Sequence, residues 1–161
     1  MILLAHLLFG AAIGQKISNP ILAIILAFLS HYFLDFLPHT EYLIENIKNK
    51  QWRKAAPDIL RVILDFLLGS LIIFIFSKNQ TIIYICAFFA ILPDGFTILS
   101  YFLPNKILKI HDKLHREKAH FFRDIATLEN IATLKNKKIS NFWRIISQAA
   151  VIVVCIVLLR S

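Results

Sequence analysis

Charge is what this sequence has least of. Only 17% of its 161 residues are Asp, Glu, Lys or Arg, against about 25% in ordinary soluble domains, while 58% are hydrophobic. That balance excludes a water-soluble fold. Cysteine is scarce too: Cys86 and Cys155 both sit in apolar runs, far apart, and form no C-x-x-C pair. They read as small buried hydrophobes and carry no information on redox compartment. Also missing are base-stacking aromatics on a basic surface and a recognisable reading helix. The net charge of +8 therefore does not point to nucleic acid.

What the chain does have is long apolar runs. A span needs about 20 mainly apolar residues, because the hydrocarbon core is about 30 Å thick and a helix rises about 1.5 Å per residue. Residues 57–77, 81–103 and 142–159 qualify. Residues 20–38 make a fourth run, opened by Pro20 at a favoured first helical position. Residues 2–14 are apolar but short. They lack the basic stretch and A-x-A site of a signal peptide and carry His6, so they read as a retained short or tilted helix. The expected fold is all-α: an integral-membrane bundle of four to five membrane helices in a single domain, 1–161.

Basic residues set the expected orientation. Lys48, Lys50, Arg53 and Lys54 lie in 39–56, and nine more Lys and Arg lie in 104–141, while turns 15–19 and 78–80 carry only Lys16 and Lys78. Positive-inside asymmetry places both basic loops and the N-terminus in the cytoplasm, in a cytoplasmic (inner or plasma) membrane. Within the second loop, Ile125, Leu128, Ile131 and Leu134 recur every third residue. They predict an amphipathic cytoplasmic helix over 123–138, lying on the membrane surface.

Ionisable groups inside a span cost roughly 2.5–3.5 kcal/mol each at a helix centre, so each is a functional candidate. With this topology His6, His31, Asp35, Asp65 and Asp94 all fall in the cytoplasmic half. His31 and Asp35 share a helix face at i, i+4, which sets an imidazole and a carboxylate side by side as ligands for a divalent metal. Asp94 sits in "LPDG", where Pro93 and Gly95 predict a kinked or interrupted helix. Just beyond, "HDKLHREKAHF" adds His111, His115 and His120. Asp65 has a simpler reading, a pair with Arg61 at i, i+4. His39 and His111 read equally well as solvated interfacial residues.

These stretches resemble the membrane-bound metal-dependent hydrolases, also described as LexA-binding inner-membrane hydrolases. "AHLLFG" matches that family's early histidine helix with His6, and "LPDG" its L-P-D segment with Asp94. "HREKAH" keeps its H-R-x-x-x-H spacing with His115, Arg116 and His120, and "SHYFLD" its S-H-x-x-x-D helix with His31 and Asp35. The motif order is altered here, with S-H-x-x-x-D ahead of L-P-D, and Glu117 and Ala119 replace a glycine and a threonine. The K-x-x-x-x-x-x-R-P and P-S-G-H stretches of histidine-nucleophile lipid phosphatases are absent.

The resemblance implies a metal-dependent hydrolytic site. The expectation is a hydrolase acting on a phosphoryl or acyl substrate near the inner membrane face, a membrane lipid being one such substrate. A divalent cation, zinc by the nature of the ligands, would be held by His31, Asp35, His115 and His120, with His6 and Asp94 as further ligands. Asp94 would take the water proton and Arg116 would stabilise negative charge on the substrate. Two alternatives use the same residues differently: a metal-cation or proton transporter or relay, and a non-catalytic scaffold whose basic loop docks a partner.

Overall fold

The computed structural model describes residues 2–37, 39, 45–78, 80–115 and 141–161. Among these it contains helices and no strand: α1 (Leu3–Lys16), α2 (Pro20–Asp35), the single turn α3 (Glu45–Lys48), α4 (Trp52–Phe76), α5 (Thr81–Phe102), α6 (Lys106–Leu114) and α7 (Asn141–Arg160). Three of them, α4, α5 and α7 from Phe142 onward, are long and apolar enough to cross a membrane. The chain is an all-helical, membrane-associated bundle. The apolar α2 is shorter, at 16 residues.

The shortest apolar run supplies the centre. α1 is apolar on every side, and a helix of that kind is buried on every side. Its Leu4, Leu7, Leu8, Ala11 and Ala12 pack with Ile73 of α4, Ile83 and Ala87 of α5, and Cys155 and Leu159 of α7. By contrast α4 leaves Leu60, Ile63, Leu64, Leu67, Leu71 and Phe74 exposed, a surface that hydrocarbon rather than water would solvate.

Two glycines let α1 lie against α5. A Cβ on Gly10 would come within 2.5 Å of the Ala90 Cβ and 2.6 Å of the Cys86 carbonyl oxygen, and one on Gly14 within 2.9 Å of the Ile83 Cα. This G-x-x-x-G spacing brings two backbones together, the packing mode that small residues provide in membranes. Overpacking typically costs about 1–3 kcal/mol, and backbone atoms yield less than side-chain ends. Gly10→Val is therefore expected to destabilise the bundle by an amount at the upper end of that range, read as a lowered thermal unfolding midpoint in detergent. An unchanged midpoint would contradict the close packing.

Polar contacts fix the helix directions. The Gln15 side chain donates to the Leu159 carbonyl at 2.6 Å and accepts from the Lys78 amide at 3.1 Å, so the C-terminal ends of α1, α4 and α7 lie together. Gly10 and Gly14 of α1 meet Ala90 and Ile83 of α5 in reverse order, and Ala5 near the start of α1 packs on Leu34 near the end of α2. α1, α4 and α7 thus run one way and α2 and α5 the other, the alternation that loop charge predicts.

Three local expectations need correction. α5 runs unbroken through Pro93 to Phe102, which agrees with the run 81–103 and excludes, of the kink or interruption expected there, the interruption. Proline removes one amide donor from the ladder, and neighbouring helices can take up the backbone groups around such a break. Gly95 has open space where a Cβ would go and serves no close approach. α2 ends at Asp35 rather than at residue 38, and α4 starts at Trp52 with Pro57 inside it. α6 occupies part of the basic stretch 104–141. The amphipathic segment expected at 123–138 lies outside the described residues.

Candidate metal centre

The site forms where the start of α1, the end of α2, the second half of α5 and the end of α6 meet. Each ligand-type side chain is positioned by a separate local device. Asp65 of α4 accepts a hydrogen bond from the Leu4 amide at 3.0 Å. It thereby anchors the first turn of α1, whose exposed amides favour an acidic partner, two residues before His6. His31 donates from Nδ1 to the Ala90 carbonyl of α5 at 2.8 Å, and Asp35 follows one turn later on the same face. Asn105 caps α6 by accepting from the Ile107 amide at 2.8 Å and the Leu108 amide at 3.4 Å. That helix then delivers His111 and His115. Thr97 of α5 lies 3.2 Å from Nδ1 of His115.

Five groups converge there: His6, His31, Asp35, Asp94 and His115. His31 Nε2 lies 3.1 Å from His115 Nε2 and 3.2 Å from Asp35 Oδ2. His115 Nε2 is 3.1 Å from the same oxygen. Asp94 Oδ1 is 3.5 Å from His31 Nε2, and Asp35 Oδ1 is 3.3 Å from His6 Nε2. Ligands bound about 2.0–2.2 Å from one cation lie roughly 2.9–3.5 Å from each other at octahedral to tetrahedral angles. The triangle of His31, His115 and Asp35 has edges of that length. His6 and His31 are fully buried and Asp35 nearly so, while the Asp94 side chain is 35% exposed and forms the accessible side.

The hydrogen bonds decide where the lone pairs point. A carbonyl only accepts, so the Ala90 contact commits the Nδ1 proton of His31 and leaves the neutral ring with a lone pair at Nε2. That lone pair faces a carboxylate oxygen and a second imidazole nitrogen. Electron-rich atoms at 3.1–3.2 Å repel unless a cation lies among them or a proton does, carried by His115 Nε2 or as a second proton by His31. A ring nitrogen fixed on a backbone carbonyl with its other nitrogen turned inward is the arrangement that orients metal-binding histidines.

Of the sequence candidates, then, the fold brings His6, His31, Asp35, Asp94 and His115 together. Arg116 and His120 lie outside the described residues. His39 is near the cluster: its Nδ1 donates to the Leu37 carbonyl at 2.6 Å, and its Nε2 is 3.9 Å from Asp35 Oδ1. His111 stands beside the site rather than in it. Its Nε2 shares a 3.0 Å hydrogen bond with the Tyr32 hydroxyl, and its ring stacks on that of His115. Burial, with His115 and His31 nearby, holds His111 below its ordinary pKa.

Asp65 does not pair with Arg61 as its i, i+4 spacing suggests. Arg61 pairs with Asp58 at 3.1 Å, and Asp65 turns to the α1 amide, where it meets an unsatisfied donor inside the bundle. Thr97, Tyr32 and the Ala90 carbonyl are the positioning groups that the sequence reading missed. Only Thr97 left a trace, three residues after Asp94 and so on the same helix face.

No protein-family model, curated protein or solved structure matches this chain.

Proposed function

We propose that this protein is a membrane-embedded metal-dependent hydrolase. One observation carries the reading: His31 Nε2, His115 Nε2 and Asp35 Oδ2 lie 3.1–3.2 Å apart, with the only proton of neutral His31 committed to a backbone carbonyl. Two imidazoles and a carboxylate suit zinc, and their burial keeps competing water away. Asp94 and His6 extend the ligand set, and His120 is a further ligand from the basic stretch.

His31, His115 and Asp35 would hold the zinc, whose chemistry there would be to lower the pKa of water to about 7 and to polarise a substrate oxygen. The chain's own residues do the rest. Asp94, the accessible carboxylate, takes the water proton. Thr97 and the Ala90 carbonyl hold His115 and His31 in place, and the role that the motif resemblance implies for Arg116 is to stabilise negative charge on the substrate. The site lies at the end of the bundle from which α1, α4 and α7 start. Positive-inside asymmetry assigns that end to the cytoplasmic face of an inner or plasma membrane, within reach of a lipid or lipid-linked phosphoryl or acyl substrate.

The competing reading, a cation or proton relay, calls for polar groups continuing through the other half of the bundle. The sequence has no Asp or Glu in 2–30, 66–93 or 145–161, which favours a site served from one side. The test is elemental analysis of the purified protein. A stoichiometric divalent metal, with zinc predominating, is expected, and its absence from protein prepared without chelator would sink the proposal.

A further inference from the structure

Five donor side chains exceed what one tetrahedral zinc uses, and they fall into two groups. The donor atoms of His31, Asp35 and His115 lie within 4.8 Å of one another, as do those of His6, His31 and Asp94. His31 belongs to both groups. Its Nδ1 proton is committed to Ala90, so it has one lone pair and serves one cation.

Asp35 has two oxygens, and they face different partners. Oδ2 faces His31 and His115, whereas Oδ1 faces His6 at 3.3 Å. His6 is fully buried, and neither ring nitrogen has a hydrogen-bond partner among the described residues. Its ring stacks on His31 with centroids 4.1 Å apart and planes 23° from parallel. Two near-parallel imidazoles at that spacing, each presenting Nε2 to its own oxygen of one carboxylate, match the separation of about 3.5–4 Å between cations in two-metal sites.

Resting on the hydrolase reading above, we propose that the cluster holds two divalent cations bridged by the Asp35 carboxylate, and that its substrate is a phosphate ester. The first cation takes His31, His115 and Asp35 Oδ2. The second takes His6, Asp94 and Asp35 Oδ1. Every donor is used, and only the bridging carboxylate is shared. Paired cations stabilise the attacking and the leaving oxygen of an in-line phosphoryl displacement together, a demand that acyl transfer does not make. α6, which leads directly into His115, carries the exposed Lys106, Lys109 and Lys113, a charge that favours an anionic ester. In the reaction the water oxygen bonds to phosphorus and the ester P–O bond breaks with its electron pair leaving on the alkoxide oxygen. One water proton passes to Asp94 and then to the departing alkoxide.

The test uses the full-length protein in detergent, stripped of metal and titrated with Mn²⁺ and separately with Zn²⁺. Two equivalents bound per chain are expected. The Mn²⁺ form should show the electron paramagnetic resonance of an exchange-coupled pair, with hyperfine spacing half that of an isolated ion. His6→Gln should retain one equivalent with an uncoupled signal. Hydrolysis of para-nitrophenyl phosphate or its diester should rise mainly with the second equivalent.

A single uncoupled equivalent in the unmutated protein overturns the paired site while leaving the hydrolase reading intact. No bound metal overturns both. Two equivalents without coupling remove the Asp35 bridge. Full activity on para-nitrophenyl butyrate at one equivalent, with none on the phosphates, removes the substrate assignment. Because the unmutated protein decides the stoichiometry and the coupling, a misfolded variant cannot rescue the proposal.

Discussion

Replacing His31 with alanine is expected to empty the centre of stoichiometric metal while the bundle stays helical. His31 stands at the middle of the cluster, facing Asp35, Asp94 and His115 at 3.1–3.5 Å and stacked on His6. Like Asp35, it reaches both donor groups. Losing a hydrogen-bond partner behind a metal ligand typically costs about 10–100-fold in affinity, so losing the central ligand should exceed that. Thr97→Val gives the comparison: it keeps every ligand but removes the hydroxyl beside His115 Nδ1, and its affinity should fall within that 10–100-fold range. Elemental analysis and metal titration read both variants, with circular dichroism checking the helices. Undiminished metal in His31→Ala would mean that the convergence of the five side chains has another cause.

The helices and their directions were legible because the bilayer imposes a length and loop charge imposes an alternation. The apolar runs at 81–103 and 142–159 match α5 and α7 to within a residue or so at each end. The start of α4 was missed because Trp52–Ala56 carries Arg53 and Lys54, polar residues that end a hydropathy run without ending a helix. α6 was hidden in the same way by its lysines. Yet Ile107, Ile110 and Leu114 stand three and four residues apart, the spacing of one helical face. The central place of α1 was not apparent either. A run of 14 residues looks like the weakest span, and only its uniform apolarity and the Gly10–Gly14 spacing hint that it is enclosed.

The site was legible for a related reason. Alternating directions put His6, Asp35, Asp94 and His115 in one layer from the sequence alone, since each lies toward the same end of the bundle. A layer is not a cluster, however. That these side chains meet depends on how closely α1 approaches α5, which two glycines set, and on α6 folding back to bring His115 against Thr97. The devices that aim the rings are a backbone carbonyl and a hydroxyl, and neither stands out in a pattern of ionisable residues. Asp65 shows the converse. It is conspicuous as an acid within a span, and its role is to hold the first turn of the helix that carries His6.

Removing the metal should also loosen the bundle measurably. A ligand that binds only the folded chain stabilises it by RT ln(1 + [L]/Kd), about 4 kcal/mol at a thousandfold excess over Kd. For a chain of this size each kcal/mol moves the midpoint by roughly 2–4 °C, so saturating zinc against excess chelator should separate the two melting curves by roughly 8–16 °C. The stabilisation would be specific to this fold because the candidate ligands come from α1, α2, α5 and the end of α6, so a bound cation would tie together helices that otherwise meet through small apolar contacts. Protons compete with the cation for the imidazole nitrogens, so the separation between the curves should shrink as the pH is lowered. Asp35→Ala, which removes the carboxylate facing three of the histidines, should melt at the same temperature with zinc or with chelator. If the unmutated protein also melts identically under both conditions, the cluster is not a metal centre, and the scaffold reading takes its place.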